Sequence, residues 1–148
     1  MYEVVMSEKA AADAQAELTK LAAVKEEERG LVITLSGSVL FASNESTLLP
    51  AAVDRLNKVA DALLVTKQKH LIIEGFTDSQ GSSEYNLVLS KKRADTVRSY
   101  LISRGYPGDL INTRGIGEER PVSDNNSAEG RANNRRVEIV VERTPDKL

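Results

Sequence analysis

Two helix-length stretches, each flanked by short apolar runs, limit what this chain can fold into. Pro50 to Leu64 puts Val53, Leu56, Ala60 and Leu63 on one face, and Pro suits a first helical turn. Ser83 to Arg104 carries Ala94, Val97 and Leu101 as its stripe, with Gly105 as the expected C-cap. Ahead of both, Leu31, Ile33 and Leu35 alternate with Val32 and Thr34, a strand pattern. Leu71-Ile72-Ile73, ending at Gly75, separates the helices, and Ile111 to Gly115 follows the second. Val137, Ile139 and Val141 alternate with charged or exposed neighbours in a last strand. Gly37 to Leu49 reads as a loop, and Glu118 to Asn134 as a long ordered loop or short helical turn. The order β-α-β-α-β-β predicts one α/β domain of two layers, helices packed on a mixed sheet.

Several function classes lose ground on composition and motifs. At 148 residues the chain suffices for one domain with a real core, and its 41% apolar content suits a globular protein. The formal net charge of −2 offers no basic field for nucleic acid. No cysteine is present, so disulfides, thiolate metal sites and a cysteine nucleophile are out. His70, the only histidine, stands just before a strand, and no serine sits in a nucleophile elbow. Gly115-Ile116-Gly117 lacks the third glycine of a dinucleotide loop, and Pro121 interrupts any helix after it. Asp124-Asn125-Asn126 lacks the glycine and distal glutamate of a calcium loop. The expectation is a binding module without catalysis, cofactor or metal.

The chemistry concentrates in Phe76-Thr77-Asp78-Ser79-Gln80-Gly81 and in Asn86, Leu89 and Arg93. Asn86, Leu89 and Arg93 fall at i, i+3 and i+7, one face of the second long helix. Asp78 sits at a predicted strand end bracketed by Gly75 and Gly81, which permit close backbone approach or positive φ. Two readings of Asp78 and Arg93 follow. They form a structural salt bridge from helix to strand, or they converge without satisfying each other. In the second case the carboxylate takes an ammonium and the guanidinium a carboxylate, so that together they hold a small zwitterion.

Thr77-Asp78-x-x-Gly81-x4-Asn86-x2-Leu89-Ser90-x2-Arg93-Ala94 resembles the peptidoglycan-associating signature of the OmpA-like C-terminal domain family. Gly115-Ile116-Gly117-Glu118, Pro121, Asn125 and Gly130-Arg131-x2-Asn134-Arg135-Arg136-Val137-Glu138-Ile139 match its second half. The resemblance runs from about Leu31 to Glu142. It implies a single two-layer OmpA-like domain over residues 31–142, preceded by a helical segment over 1–30 and followed by a tail over 143–148.

It also implies a function and a site. Such a domain is a periplasmic anchor that binds the diaminopimelate of the peptidoglycan stem peptide. By resemblance Asp78 would hold the side-chain ammonium and Arg93 the carboxylate at the same centre. Asn86 and Thr77 would support them, and Asn44 would line the pocket. Arg135 would be a second basic group near the peptide carboxylates. Strand alternation sends Arg135 and Arg136 to opposite sides, so only one should reach the pocket. Two departures concern specificity. Phe76 stands where many relatives have His, adding bulk near the strand end, and Ala42 stands where many have Asp, making the pocket less acidic.

Ser7 to Arg29 is rich in Ala, Glu and Lys, lacks Gly and Pro, and reads as a helix ended by Gly30. Val4, Ala11, Ala14, Leu18 and Leu21 form a thin apolar stripe that stops at Lys25 and Glu28. It suits one end of a coiled coil or a solvated lead-in helix. The coiled-coil reading gives the rival function: an envelope assembly module that self-associates through this helix without binding the wall. No run approaches the roughly 18–20 apolar residues of a membrane span, and Met1 to Met6 is too short and acidic for a signal peptide. A periplasmic location, tethered to the outer membrane, would rest on an element outside this chain.

Overall fold

The structure, a computed structural model, describes residues 23–65 and 69–143. Its elements are β1 (Ala23–Glu27), β2 (Gly30–Ser36), α1 (Gly37–Leu40), α2 (Pro50–Leu64) and β3 (Leu71–Phe76). There follow α3 (Ser83–Ser103), a 3-10 turn (Gly108–Leu110), β4 (Ile111–Gly117), α4 (Ala128–Asn134) and β5 (Arg136–Glu142). They build the expected α/β domain on one mixed sheet of order β1-β2-β5-β3-β4. Only β3 and β4 run parallel, as a crossover through α3 requires.

Helix α2 begins with Pro50 at its N-terminus and buries Ala52, Leu56, Val59, Ala60 and Leu63. The face is rotated slightly from the predicted one, leaving Val53 half-buried. In α3, the Ser82 side chain accepts from the Tyr85 N–H and closes the first turn. Its C-terminus ends at Arg104, after which Gly105 takes φ +112°. Ala94, Val97 and Leu101 of α3 join Ile33, Leu35, Ile73, Val137 and Ile139 of the sheet in one core with α2.

Three expectations need correction. Of the helix read over Ser7–Arg29, residues 7–22 lie outside the described residues, but Ala23–Glu27 is a strand. Val24 faces the core there, opposite Ile33, and the chain reverses through Glu28-Arg29. Gly30 is therefore not a helix cap. It starts β2 at φ +136°, where a Cβ would lie 2.2 Å from the Val141 carbonyl oxygen. Strand β5 does not alternate buried with exposed: Arg136, Glu138 and Val140 are buried as well. It fills the middle of the sheet, and its charges are paired on the face away from α2 and α3. Finally, the predicted loop from Gly37 contains the short helix α1 and a bridge between Phe41 and Leu48. Of the predicted tail, Arg143 donates to the carbonyls of Glu27 and Glu28, and residues 144–148 lie outside the described residues.

Candidate functional site

The close docking of α3 on β3 makes the site. A Cβ on Gly75 would sit 2.1 Å from the Ser90 carbonyl oxygen, so only glycine lets the helix backbone approach this closely. The chain then leaves β3 with the Thr77 N–H donating to the Gly117 carbonyl (2.8 Å), and Asp78 emerges beside the buried Asn86–Arg93 face. Gly81, at φ +88°, turns the loop back into α3.

A cleft of about 430 Å³ opens there, lined by Asp78, Arg93, Asn86, Thr77, Asn44 and Arg135. All six residues singled out from the sequence are thus brought together. Phe41, Leu49 and Leu89 supply apolar wall. Ser38 and Gln80 also line it, and neither was anticipated; Ser38 lies in what reads as loop from sequence.

Neither the salt bridge nor a bare Asp78–Arg93 pair is what the geometry contains. Asp78 Oδ2 accepts from Arg135 Nη1 at 2.6 Å, and Oδ1 from the Gln80 N–H at 3.0 Å. Arg93 instead holds the loop before α2, donating through Nε to the Glu45 carbonyl (2.8 Å) and through Nη2 to the Ala42 carbonyl (3.1 Å). Its guanidinium also lies 4.9 Å from the centre of the Phe41 ring. Arg93 Nη1 has no partner among the described residues, and no buried side-chain N or O atom there lacks one. Nη1 is therefore open to the cleft. Burial, joined by the like charge of Arg135, pulls Arg93 below the usual guanidinium range, and Tyr85 and Asp78 oppose this only in part.

The supporting residues are largely used on the scaffold. Asn86 Nδ2 donates to the Gln80 carbonyl (2.9 Å), to Glu118 Oε1 (3.1 Å) and, at 3.4 Å, to the Asp78 carbonyl. Thr77 Oγ1 donates to the Asp78 carbonyl at 2.8 Å. Asn44 takes a left-handed φ of +62° at the exposed rim. Glu118 was not foreseen as a partner of Asn86; its signal was the Gly-x-Gly-Glu run that closes β4 at Gly117 and places Glu118 just past the strand.

Arg135 and Arg136 do part company. Arg135 reaches the cleft, whereas Arg136 stacks on Phe76, 3.7 Å from the ring centre, and pairs with Glu138. Phe76 is accordingly buried on the other face of the sheet and does not line the cleft, so its bulk does not narrow the site. Ala42 does line it, and the charged lining residues are two guanidiniums against one carboxylate, a surplus of one positive charge. Such a cleft suits a ligand centre that carries a carboxylate as well as an ammonium. Among the described residues there is no group of three or more His, Cys, Asp or Glu that could hold a metal ion.

The chain is 45% identical over 105 residues to the peptidoglycan-binding protein ArfA of Mycobacterium tuberculosis, covering 71% of this chain and 32% of that protein. It thus spans only about a third of that relative. It is 39% identical over 114 residues to the outer-membrane lipoprotein YfiB of Pseudomonas aeruginosa, covering 77% and 68% respectively. Its fold matches the solved cell wall anchor of the T6SS from Pseudomonas aeruginosa with a TM-score of 0.76 and 31% identity, over 90% of this chain and 94% of that one. The family model described as the OmpA family matches residues 40–135, which include the whole cleft except its Gly37–Ser38 edge, and the chain belongs to that family.

Proposed function

We propose that this domain binds cell-wall peptidoglycan non-covalently, through the diaminopimelate of the stem peptide, and so anchors an envelope component in the periplasm. The observation that carries the reading is the meeting of Asp78, Arg93 and Arg135 in one cleft, with Arg93 Nη1 open to it. The relatives named for peptidoglycan binding and as a cell wall anchor support it. The ammonium of the ligand shares Asp78, and its carboxylate bridges Arg93 and Arg135. Tethering to the outer membrane is part of the same proposal, and the relative named as an outer-membrane lipoprotein supports it.

Magnitudes suit an anchor rather than a tight receptor. Each charge-assisted hydrogen bond nets roughly 1.5–3 kcal/mol. Ordering costs of several kcal/mol offset much of that. An isolated stem peptide should bind with about millimolar to micromolar affinity, and the repeating polymer multiplies it by avidity.

The test is co-sedimentation of the full chain with purified diaminopimelate-type sacculi, wild type beside Asp78→Asn and Arg93→Ala. Wild type should pellet, and each variant should lose about 2–5 kcal/mol of binding, because a ligand charge is left unpaired. A folded wild type that stays in the supernatant would sink the proposal and bring the assembly module forward. Variants that pellet as well as wild type would make the cleft structural.

A further inference from the structure

A half-buried carboxylate, Glu118, stands behind the cleft without lining it. It follows β4 directly, and the residue before it is clamped on both sides. The Gly117 N–H donates to Ser90 Oγ of α3 (3.0 Å), and the Gly117 carbonyl accepts from the Thr77 N–H past the end of β3 (2.8 Å). From this fixed point Glu118 Oε1 accepts from Asn86 Nδ2 at 3.1 Å. Among the described residues Glu118 is in no ion pair, and the Asn86 amide is its one side-chain partner.

That contact bears on which end of Asn86 meets a ligand. Nδ2 faces the Gln80 carbonyl (2.9 Å), Glu118 Oε1 (3.1 Å) and, farther off, the Asp78 carbonyl (3.4 Å). All of these are acceptors, so the amide must present its nitrogen to them. The flipped arrangement would set Oδ1 against a carboxylate and a carbonyl. Oδ1 therefore points the other way. It has no partner among the described residues, and no buried side-chain N or O atom there lacks one. This oxygen is thus open to the cleft that Asn86 lines.

We propose that Glu118 is a positioning residue for the ammonium end of the cleft. It holds Asn86 with Oδ1 outward, so that the ligand's ammonium binds Asp78 and Asn86 Oδ1 together. The Gln80 carbonyl engages one amide proton of Asn86, and Glu118 takes the other. A charged acceptor on Nδ2 also polarises the amide and strengthens Oδ1 as an acceptor. The second oxygen matters because Asp78 is already engaged by Arg135 and by the Gln80 N–H. An ammonium donates several bonds and is poorly served by that carboxylate alone. This inference rests on the cleft taking diaminopimelate.

Calorimetric titration of meso-diaminopimelate into the full chain tests it. Glu118→Ala should weaken binding about fivefold, the scale of one ordinary hydrogen bond. Glu118→Gln still offers an oxygen to Asn86 Nδ2 and should recover most of that loss. In an Asn86→Ala background, Glu118→Ala should change nothing further, because the residue through which it acts is gone. Urea unfolding checks each variant; if Asn86→Ala does not fold, the two substitutions of Glu118 still decide. A Glu118→Ala variant that binds like wild type overturns the proposal. So does a Glu118→Gln variant as weak as Glu118→Ala, which would mean a bare charge effect, or a loss that persists without Asn86. Each of these leaves wall binding standing, whereas a wild type that takes up no diaminopimelate overturns both.

Discussion

Arg135 Nη1 stands 2.6 Å from Asp78 Oδ2, so the carboxylate proposed to receive the ligand's ammonium already has a cationic partner in the free domain. Arg135 is about a third exposed at its side chain and can leave without unfolding anything, whereas Asp78 is nearly buried. Binding then becomes an exchange: the ammonium takes Asp78, and the released Arg135 turns to the carboxylate of the same ligand. The exchange makes Arg135 both competitor and partner. Arg135→Ala should therefore tighten binding of a simple alkylammonium severalfold while weakening diaminopimelate about tenfold, roughly 1.4 kcal/mol. Calorimetric titration of both ligands checks this, and parallel changes for the two would refute the exchange.

Arg93 has a different double role. Its bonds to the Glu45 and Ala42 carbonyls and its stacking on Phe41 hold the loop that forms the cleft wall. Arg93→Ala should thus destabilise the domain by about 2–3 kcal/mol, beyond any loss of ligand contact. Arg93→Lys keeps the charge but cannot hold two carbonyls and a carboxylate with one planar fork. It should keep less than half of the lost stability and still bind poorly. Urea unfolding separates the two effects, with Asp78→Asn as the comparison whose fold should be nearly unchanged.

Gly75 sets the distance between α3 and β3 that the whole site depends on. Adding a methyl group 2.1 Å from the Ser90 carbonyl oxygen forces backbone apart on both sides, with no flexible side chain to yield. Gly75→Ala should cost about 1–3 kcal/mol as an overpacked contact. It should also weaken ligand binding, because Asp78 and Arg93 ride on the two elements being separated. Gly81→Ala makes a useful contrast: it has room for a methyl group, with Asn86 Oδ1 3.7 Å away, and only its φ of +88° is strained.

Much of this was legible in the sequence, for reasons that differ by region. Helices α2 and α3 announced themselves by a repeating apolar face and by Pro50 and Gly105 at their ends, whereas the Ser82 cap of α3 emerged only from the structure. The six candidate residues that line the cleft were legible because their types and order resemble a family signature, not because spacing revealed the cleft. Spacing paired Asp78 with Arg93, and the actual partner, Arg135, lies 57 residues away across the sheet. No local rule could have found it. Strand β1 was misread because Ala23-Val24-Lys25-Glu26-Glu27 has helix-favouring composition, and only pairing with β2 overrides that preference. Glu138 breaks the expected alternation because Arg29 and Arg136, from separate segments, neutralise it, a condition invisible in strand periodicity.

Asp95 gives a pH test that is independent of the ligand. It lies on α3 and links the helix to β4, accepting from Thr113 Oγ1 (2.6 Å) and from Lys91 Nζ (2.9 Å). Partial burial pushes its carboxyl up, but the hydrogen bonds from Thr113 and Lys91, with the charges of Lys91 and Arg98, outweigh this and hold it below the ordinary carboxylate value. A depressed folded pKa means the carboxylate stabilises the fold above the unfolded value of about 4 and stops doing so as pH falls through the folded value. The side chain is half exposed, so the contribution is below about 1 kcal/mol. Asp95→Asn should therefore be less stable than wild type at pH 7, and the difference should close in acid, once the pH has fallen through the depressed folded value. Urea midpoints at neutral and at acid pH decide it: a gap that persists in acid would mean that Asp95 acts through neutral hydrogen bonding to Thr113 rather than through its charge.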